Sequence, residues 1–113
     1  MAAVYVSNIV INEGADFDQT FNLSNSSNEP LDLSDYTVES QLRKHAGSST
    51  KTDFTTTIVD ASDGRIEIGL ASSITSSLKP GRYVYDIVIT KTGNSKKTRV
   101  IEGSALVREG VTK

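Results

Sequence analysis

His45 is the one histidine in this chain and cysteine is absent, so any general base near neutral pH would have to be His45 or a carboxylate with a raised pKa. His45 follows Lys44 and precedes Ala46-Gly47-Ser48-Ser49, a run too polar to pack, which reads as a mobile loop. Catalysis needs a base held in place, so His45 reads as a solvated loop residue. Serines are plentiful, but none stands in a Gly-x-Ser-x-Gly elbow. Ser76-Ser77-Leu78-Lys79 has neither the spacing nor the companion motifs of a serine-lysine hydrolase. The expectation is a protein without catalytic turnover, acting on no small-molecule substrate.

Carboxylates could instead gather a cation. Asp60 and Asp63 lie in Asp60-Ala61-Ser62-Asp63-Gly64, but an EF-hand loop needs ligands at alternate positions and a later glutamate, so a plain turn is expected. Asp16 and Asp18 fall on the same side of an extended segment and read as part of a wet sheet face. No metal and no cofactor is expected. Asp86 is different, because it stands between Val84 and Val88 on a strand whose other face carries Tyr83, Tyr85, Ile87 and Ile89. One of those faces must be core. A structural ion pair with Arg99 is the expected role, exposed if the tyrosine face is buried and costly to break if it is not.

Those residues must be positioned by strands. β-branched and aromatic residues dominate the apolar clusters, and Gly, Asn, Asp and Ser fill the gaps between them. The spacing predicts strands over Ala3–Ile11, around Phe17, Phe21 and Leu23, over Tyr36–Arg43, over Phe54–Val59, and through Ile66, Ile68 and Leu70. Ser24–Pro30 and His45–Asp53 read as loops. A short helix is expected after a Ser72 or Ser73 cap, with Ile74 and Leu78 on one face and Pro80-Gly81 ending it. Tyr83–Thr90 and Lys97–Leu106 flank Gly93-Asn94, which suits a two-residue type II′ turn. That turn would set Val88 opposite Arg99, Ile87 opposite Val100 and Asp86 opposite Ile101, making Asp86 and Arg99 diagonal neighbours.

The whole of the 113 residues, with no repeat and no linker, forms one domain of ordinary size. The fold class is all-β: a single antiparallel sandwich of about seven strands with one short helix, or alternatively a small β-barrel. A net charge of -2 offers phosphates no basic field, and Lys96, Lys97 and Arg99 are the one tight basic cluster, so nucleic acid is not an expected partner. No stretch approaches the roughly 20 apolar residues that span a bilayer, and the amino terminus lacks the basic and apolar regions of a secretory signal. No membrane is expected as a partner, and synthesis in a cytoplasm is.

The order of segments carries a resemblance. Glu13-Gly14-Ala15-Asp16-Phe17 leads to Phe21-Asn22-Leu23. Leu31-Asp32-Leu33-Ser34-Asp35-Tyr36-Thr37-Val38 is followed by Gln41-Leu42-Arg43. Then come Gly64-Arg65-Ile66-Glu67-Ile68, Thr75–Leu78, Gly81-Arg82-Tyr83-Val84-Tyr85-Asp86-Ile87 and Gly103–Thr112. This order resembles the immunoglobulin-like β-sandwich domains of phage tail and baseplate proteins, including the amino-terminal domain of baseplate receptor-binding components and small virion proteins of T4-like marine phages. The resemblance implies a structural or adaptor protein of the virion, made in the host cytoplasm, with other virion proteins or further copies of itself as partners. The chain ends at Lys113 where baseplate relatives continue into receptor-binding parts, which favours an adaptor or small decoration subunit. A capsid decoration protein and a bacterial adhesion or carbohydrate-binding sandwich are the other readings.

Assembly has a sequence signal of its own. Val4, Tyr5, Val6, Ile9, Val10 and Ile11 are apolar on both parities, and Ala105-Leu106-Val107 with Val111 lies near the other end. A surplus of this kind suits an interface built by β-augmentation, with Val4, Tyr5, Val6, Ile9, Val10, Ile11, Val107 and Val111 as its residues. The alternative is that the two ends pair with each other inside one sandwich.

Overall fold

Alternation of apolar and polar side chains sorts the chain into two sheets that share one core. The computed structural model describes residues 5–24, 27 and 29–111. Ala3 and Val4 of the expected first strand, parts of the loop before Pro30, and Thr112 fall outside those residues. The strands are β1 (Tyr5–Val6), β2 (Ile9–Asn12), β3 (Phe17–Asn22), β4 (Tyr36–Arg43), β5 (Lys51–Asp53), β6 (Thr55–Asp60), β7 (Arg65–Leu70), β8 (Gly81–Lys91) and β9 (Lys97–Arg108), with helix α1 (Ser72–Thr75) between β7 and β8. One sheet runs β1-β9-β8-β4-β5, with β2 also on β9; the other runs β3-β7-β6. Two open sheets face each other, so the fold is the sandwich and not the barrel.

The inner faces follow from period two. Ile66, Ile68 and Leu70 on β7 meet Tyr85, Ile87 and Ile89 on β8, with Ile9 and Ile11 on β2 and Ala105 and Val107 on β9 closing the layer. Each large side chain so buried stabilises the fold by about 1.5 to 3 kcal/mol. Phe54 joins the sheets: its ring centroid lies 5.9 Å from that of Phe17 and 6.2 Å from that of Tyr85. The chain changes sheet at this residue, since β5 pairs with β4 while β6 pairs with β7, and the Phe54 amide donates to the Ser40 carbonyl at 3.0 Å. Without a cysteine, this aromatic contact bridges the layers where antibody domains use a disulfide.

Several local expectations need correction. The strand expected over Ala3–Ile11 is broken at Ser7-Asn8, and both of its parts run parallel to β9. The break has a cause: the Ser7 carbonyl accepts the Tyr85 hydroxyl at 2.6 Å, and Asn8 Oδ1 accepts the Ser104 amide at 3.0 Å. Gly103 makes room for it, because a Cβ there would sit 2.1 Å from the Ser7 oxygen. Part of the expected loop over His45–Asp53 is β5, whose polar residues complete the sheet at an edge. In α1 no serine caps the helix; the cap is Ala71, and Asp16 Oδ1 accepts the Ser72 amide at 2.7 Å. Ile74 points to solvent while Thr75 is buried, its hydroxyl donating to the Ala15 carbonyl at 2.8 Å. The helix therefore fastens the β2–β3 turn.

The last hairpin is wider at its tip than expected. Lys91 and Lys96 close a four-residue loop, and Ser95, at φ 57, takes the left-handed conformation assigned by the sequence to a glycine turn. Val88 lies opposite Arg99 as expected, but a bulge then sets Ile87 opposite Ile101 and Asp86 opposite Glu102. Val100 and Ile101 are both buried at that bulge, where strict alternation would expose one of them.

Candidate interaction surface

The outer face of the six-stranded sheet is where the charged residues singled out from the sequence meet. Asp86 and Glu102 are directly opposite on β8 and β9, and Arg99 reaches both: its Nε lies 3.2 Å from Asp86 Oδ2 and its Nη1 3.6 Å from Glu102 Oε1. The guanidinium offsets a like-charge pair created by the bulge. Beside this group Arg43 donates to the Ser48 carbonyl and, at 3.0 Å, to Gln41 Oε1, holding the loop after β4 against the sheet. Gln41, Arg43, Ser48, Asp86, Arg99 and Glu102 line a groove of about 690 Å³. Its charges are largely spent on one another, which suits a surface that orders itself more than one poised for chemistry.

The other candidates are dispersed. His45 is exposed in the turn that Ser48 closes on its carbonyl, and the groove-lining loop residues near it are Ala46, Gly47 and Ser48. Asp60 Oδ1 accepts the Ser62 hydroxyl at 3.0 Å and the Asp63 amide at 3.3 Å, and the Ser62 contact foremost holds its carboxyl below the usual range. Asp16 serves α1, and Asp18 faces solvent on β3. Among the described residues no group of three His, Asp or Glu side chains is placed to hold a metal ion.

The residues expected at an assembly interface divide sharply. Ile9, Ile11 and Val107 are core, because β9 lies between β2 and β8 and is not an edge. The two ends of the chain pair with each other, which is the alternative that the sequence left open. Tyr5, Val6, Val10 and Val111 are exposed, and Val4 lies outside the described residues. Val10 is 48% exposed beside its neighbour Leu106, and Val6 and Val84 add to the same outer face. In a parallel ladder alternate residues bond inward, and the amides of Ser7 and Glu13 donate to the Glu102 and Arg108 carbonyls. The N–H and C=O groups of Val6 and Val10 and the N–H of Asn12 accordingly face the free edge, while the Asn12 carbonyl accepts the Ala15 amide at 3.1 Å in the turn that follows.

Three of the four sheet edges are guarded. β5 is three residues long and carries the Lys51–Asp53 ion pair; β3 carries Asp18; β6 ends at Asp60 and is tied to β4 by the Thr56 hydroxyl on the Val38 carbonyl at 2.9 Å. The edge from Tyr5 to Asn12 has no charged residue and no proline. Two structural residues escaped the sequence reading. Tyr83 donates its hydroxyl to the Lys79 carbonyl at 2.8 Å, a tyrosine corner of the immunoglobulin fold, and Gly103 admits the β1–β2 break. The signal for the first was present in Lys79-Pro80-Gly81-Arg82-Tyr83, a tyrosine just after a turn at the start of a long strand.

No family model and no curated protein matches the sequence. Solved structures do share the fold. The N-terminal domain of phage TP901-1 ORF48 superposes with a TM-score of 0.55 at 9% identity, over 94% of this chain and 97% of that one. Listeria monocytogenes InlP gives 0.54 at 15% identity over 93% of this chain, which spans 27% of InlP. The Lin-41 filamin domain gives 0.50 at 14% identity, over 89% of this chain and 84% of that one. At these identities the likeness is one of fold, an immunoglobulin-like β-sandwich.

Proposed function

We propose that this chain is a structural or adaptor component of a bacteriophage particle, associated with the tail or baseplate, that works by protein–protein contact. Made in the host cytoplasm and built into the virion, it acts without turnover, cofactor, nucleic acid or membrane. The observation that carries the contact role is the unguarded β1–β2 edge with Val6, Val10, Val84 and Leu106 exposed on the adjoining face. Such a surface suits partners that add a strand or dock an apolar patch. The phage assignment is supported by the segment order of the sequence and by the two-way, near-complete superposition with the phage TP901-1 domain. The experiment is mass spectrometry of purified particles of the phage carrying this gene, with immunogold labelling of the same particles. Labelling at the tail end is expected; labelling on the head would make it a decoration protein, and its absence from particles would overturn the proposal.

A further inference from the structure

The free edge reads the same in both directions. Asn8-Ile9-Val10-Ile11-Asn12 is a palindrome centred on Val10, and it lies on the one edge that is unguarded among the described residues. Two-fold symmetry makes any edge-to-edge pairing of identical strands antiparallel, with residues equidistant from the axis facing each other. An axis through Val10, normal to the sheet, sets Val10 opposite its own copy, Ile9 opposite Ile11 and Asn8 opposite Asn12.

The parity is right for bonding. Val10 aims its N–H and C=O groups outward and Asn12 its N–H, and in an antiparallel ladder about Val10 it is the facing pairs at even positions that hydrogen-bond. Pairing over Asn8–Asn12 would make about four main-chain hydrogen bonds, two between the Val10 copies and one from each Asn12 N–H. On the outer face Val10 is in register with Leu106, so the axis would bring Leu106, Val10 and their copies into one apolar row. No like charges meet, because Tyr5 to Asn12 carries none.

We infer that a second copy of this chain is the occupant of the β1–β2 edge, joining two six-stranded sheets into one through antiparallel β2–β2 pairing about Val10. Strand pairing without a large side-chain interface gives a weak dimer, so the equilibrium is expected in the micromolar to millimolar range. Self-pairing is independent of the virion assignment, and either could fail alone.

Sedimentation velocity on the purified chain over that range tests it. The wild type should pass from monomer to dimer. Val10→Lys, which places like charges face to face on an exposed position, should weaken association at least tenfold while circular dichroism stays unchanged. An equimolar mixture of Val10→Lys and Val10→Glu should associate again, because only a self-facing position pairs them. Since the chain has no cysteine, Val10→Cys should oxidise to a disulfide dimer while Val6→Cys, expected to face Gly14 of the other copy, should not. A wild type that stays monomeric to about 1 mM, or dimerisation that Val10→Lys leaves intact, would overturn the inference.

Discussion

Arg99 sits between two carboxylates that the bulge at Val100 has pushed together, and its surroundings set the size of the effect expected from removing it. The Asp86 and Arg99 side chains are 36% and 56% exposed. A double-mutant cycle between them, read from denaturant unfolding, is therefore expected to give at most about 1 kcal/mol. Tyr85 is the residue with a pH signature. Burial raises its pKa above the usual tyrosine value, against the smaller opposing effect of its bond to Ser7. A raised folded-state pKa means that this contribution is fully present below the unfolded pKa near 10 and is lost as pH rises through the higher folded value. Thermal melts between pH 8 and 12 should show an alkaline decline that Tyr85→Phe flattens. At the acid end Asp32, Asp53 and Asp60 are lowered, foremost by hydrogen bonds from Ser34, Lys51 and Ser62. Their contribution is present above about pH 4 and fades below it. Asp86 and Arg99 were legible as neighbours because a hairpin register near its turn follows from the turn; the bulge, which exchanged Ile101 for Glu102 opposite Asp86, has no residue-type signature.

At the scale of elements, β2 and β1 contribute unequally. β2 places Ile9 and Ile11 in the core, while β1 places Tyr5 and Val6 outside it. Removing residues 1–7 deletes β1 and the Ser7 acceptor of Tyr85 but leaves β2 on β9. The truncated chain is expected to stay folded and to lose about 1 to 3 kcal/mol, chiefly from the buried hydroxyl left unpaired. Circular dichroism with thermal melting checks this, and an unfolded truncation would mean that β1 nucleates the sheet edge. Alternation in the sequence was enough to mark β4 and the β6–β7 and β8–β9 hairpins, since one buried and one wet face leave a period of two. It could not mark the break at Ser7-Asn8 or the polar strand β5. The first depends on room above Gly103, and the second on Phe54 crossing to the other sheet against Phe17, Ser40 and Tyr85; Gly103 and those partners of Phe54 are distant in sequence from the strands they shape.

At the scale of the molecule, Phe54 ties the layers together, and Phe54→Ala should cost about 3 to 5 kcal/mol in denaturant unfolding. The sandwich was legible from strand spacing, whereas the pairing of the two ends was not. An apolar run on both parities can arise from a buried inner face beside an exposed interaction face, or from an interface alone, and the sequence does not separate them. With Ile9, Ile11 and Val107 in the core, what remains available for contact is the outward half of that run: Val6 and Val10, with Leu106 and Val84 beside them. Assembly through this side of the six-stranded sheet is best tested by amide hydrogen exchange on the dilute protein and on the same protein within purified particles. In the dilute protein the Val10 and Asn12 amides should exchange much faster than those of Ile9 and Ile11. In the particle, protection should rise across residues 6–12 and 104–108, and exchange there that matched the dilute protein would contradict assembly through this surface.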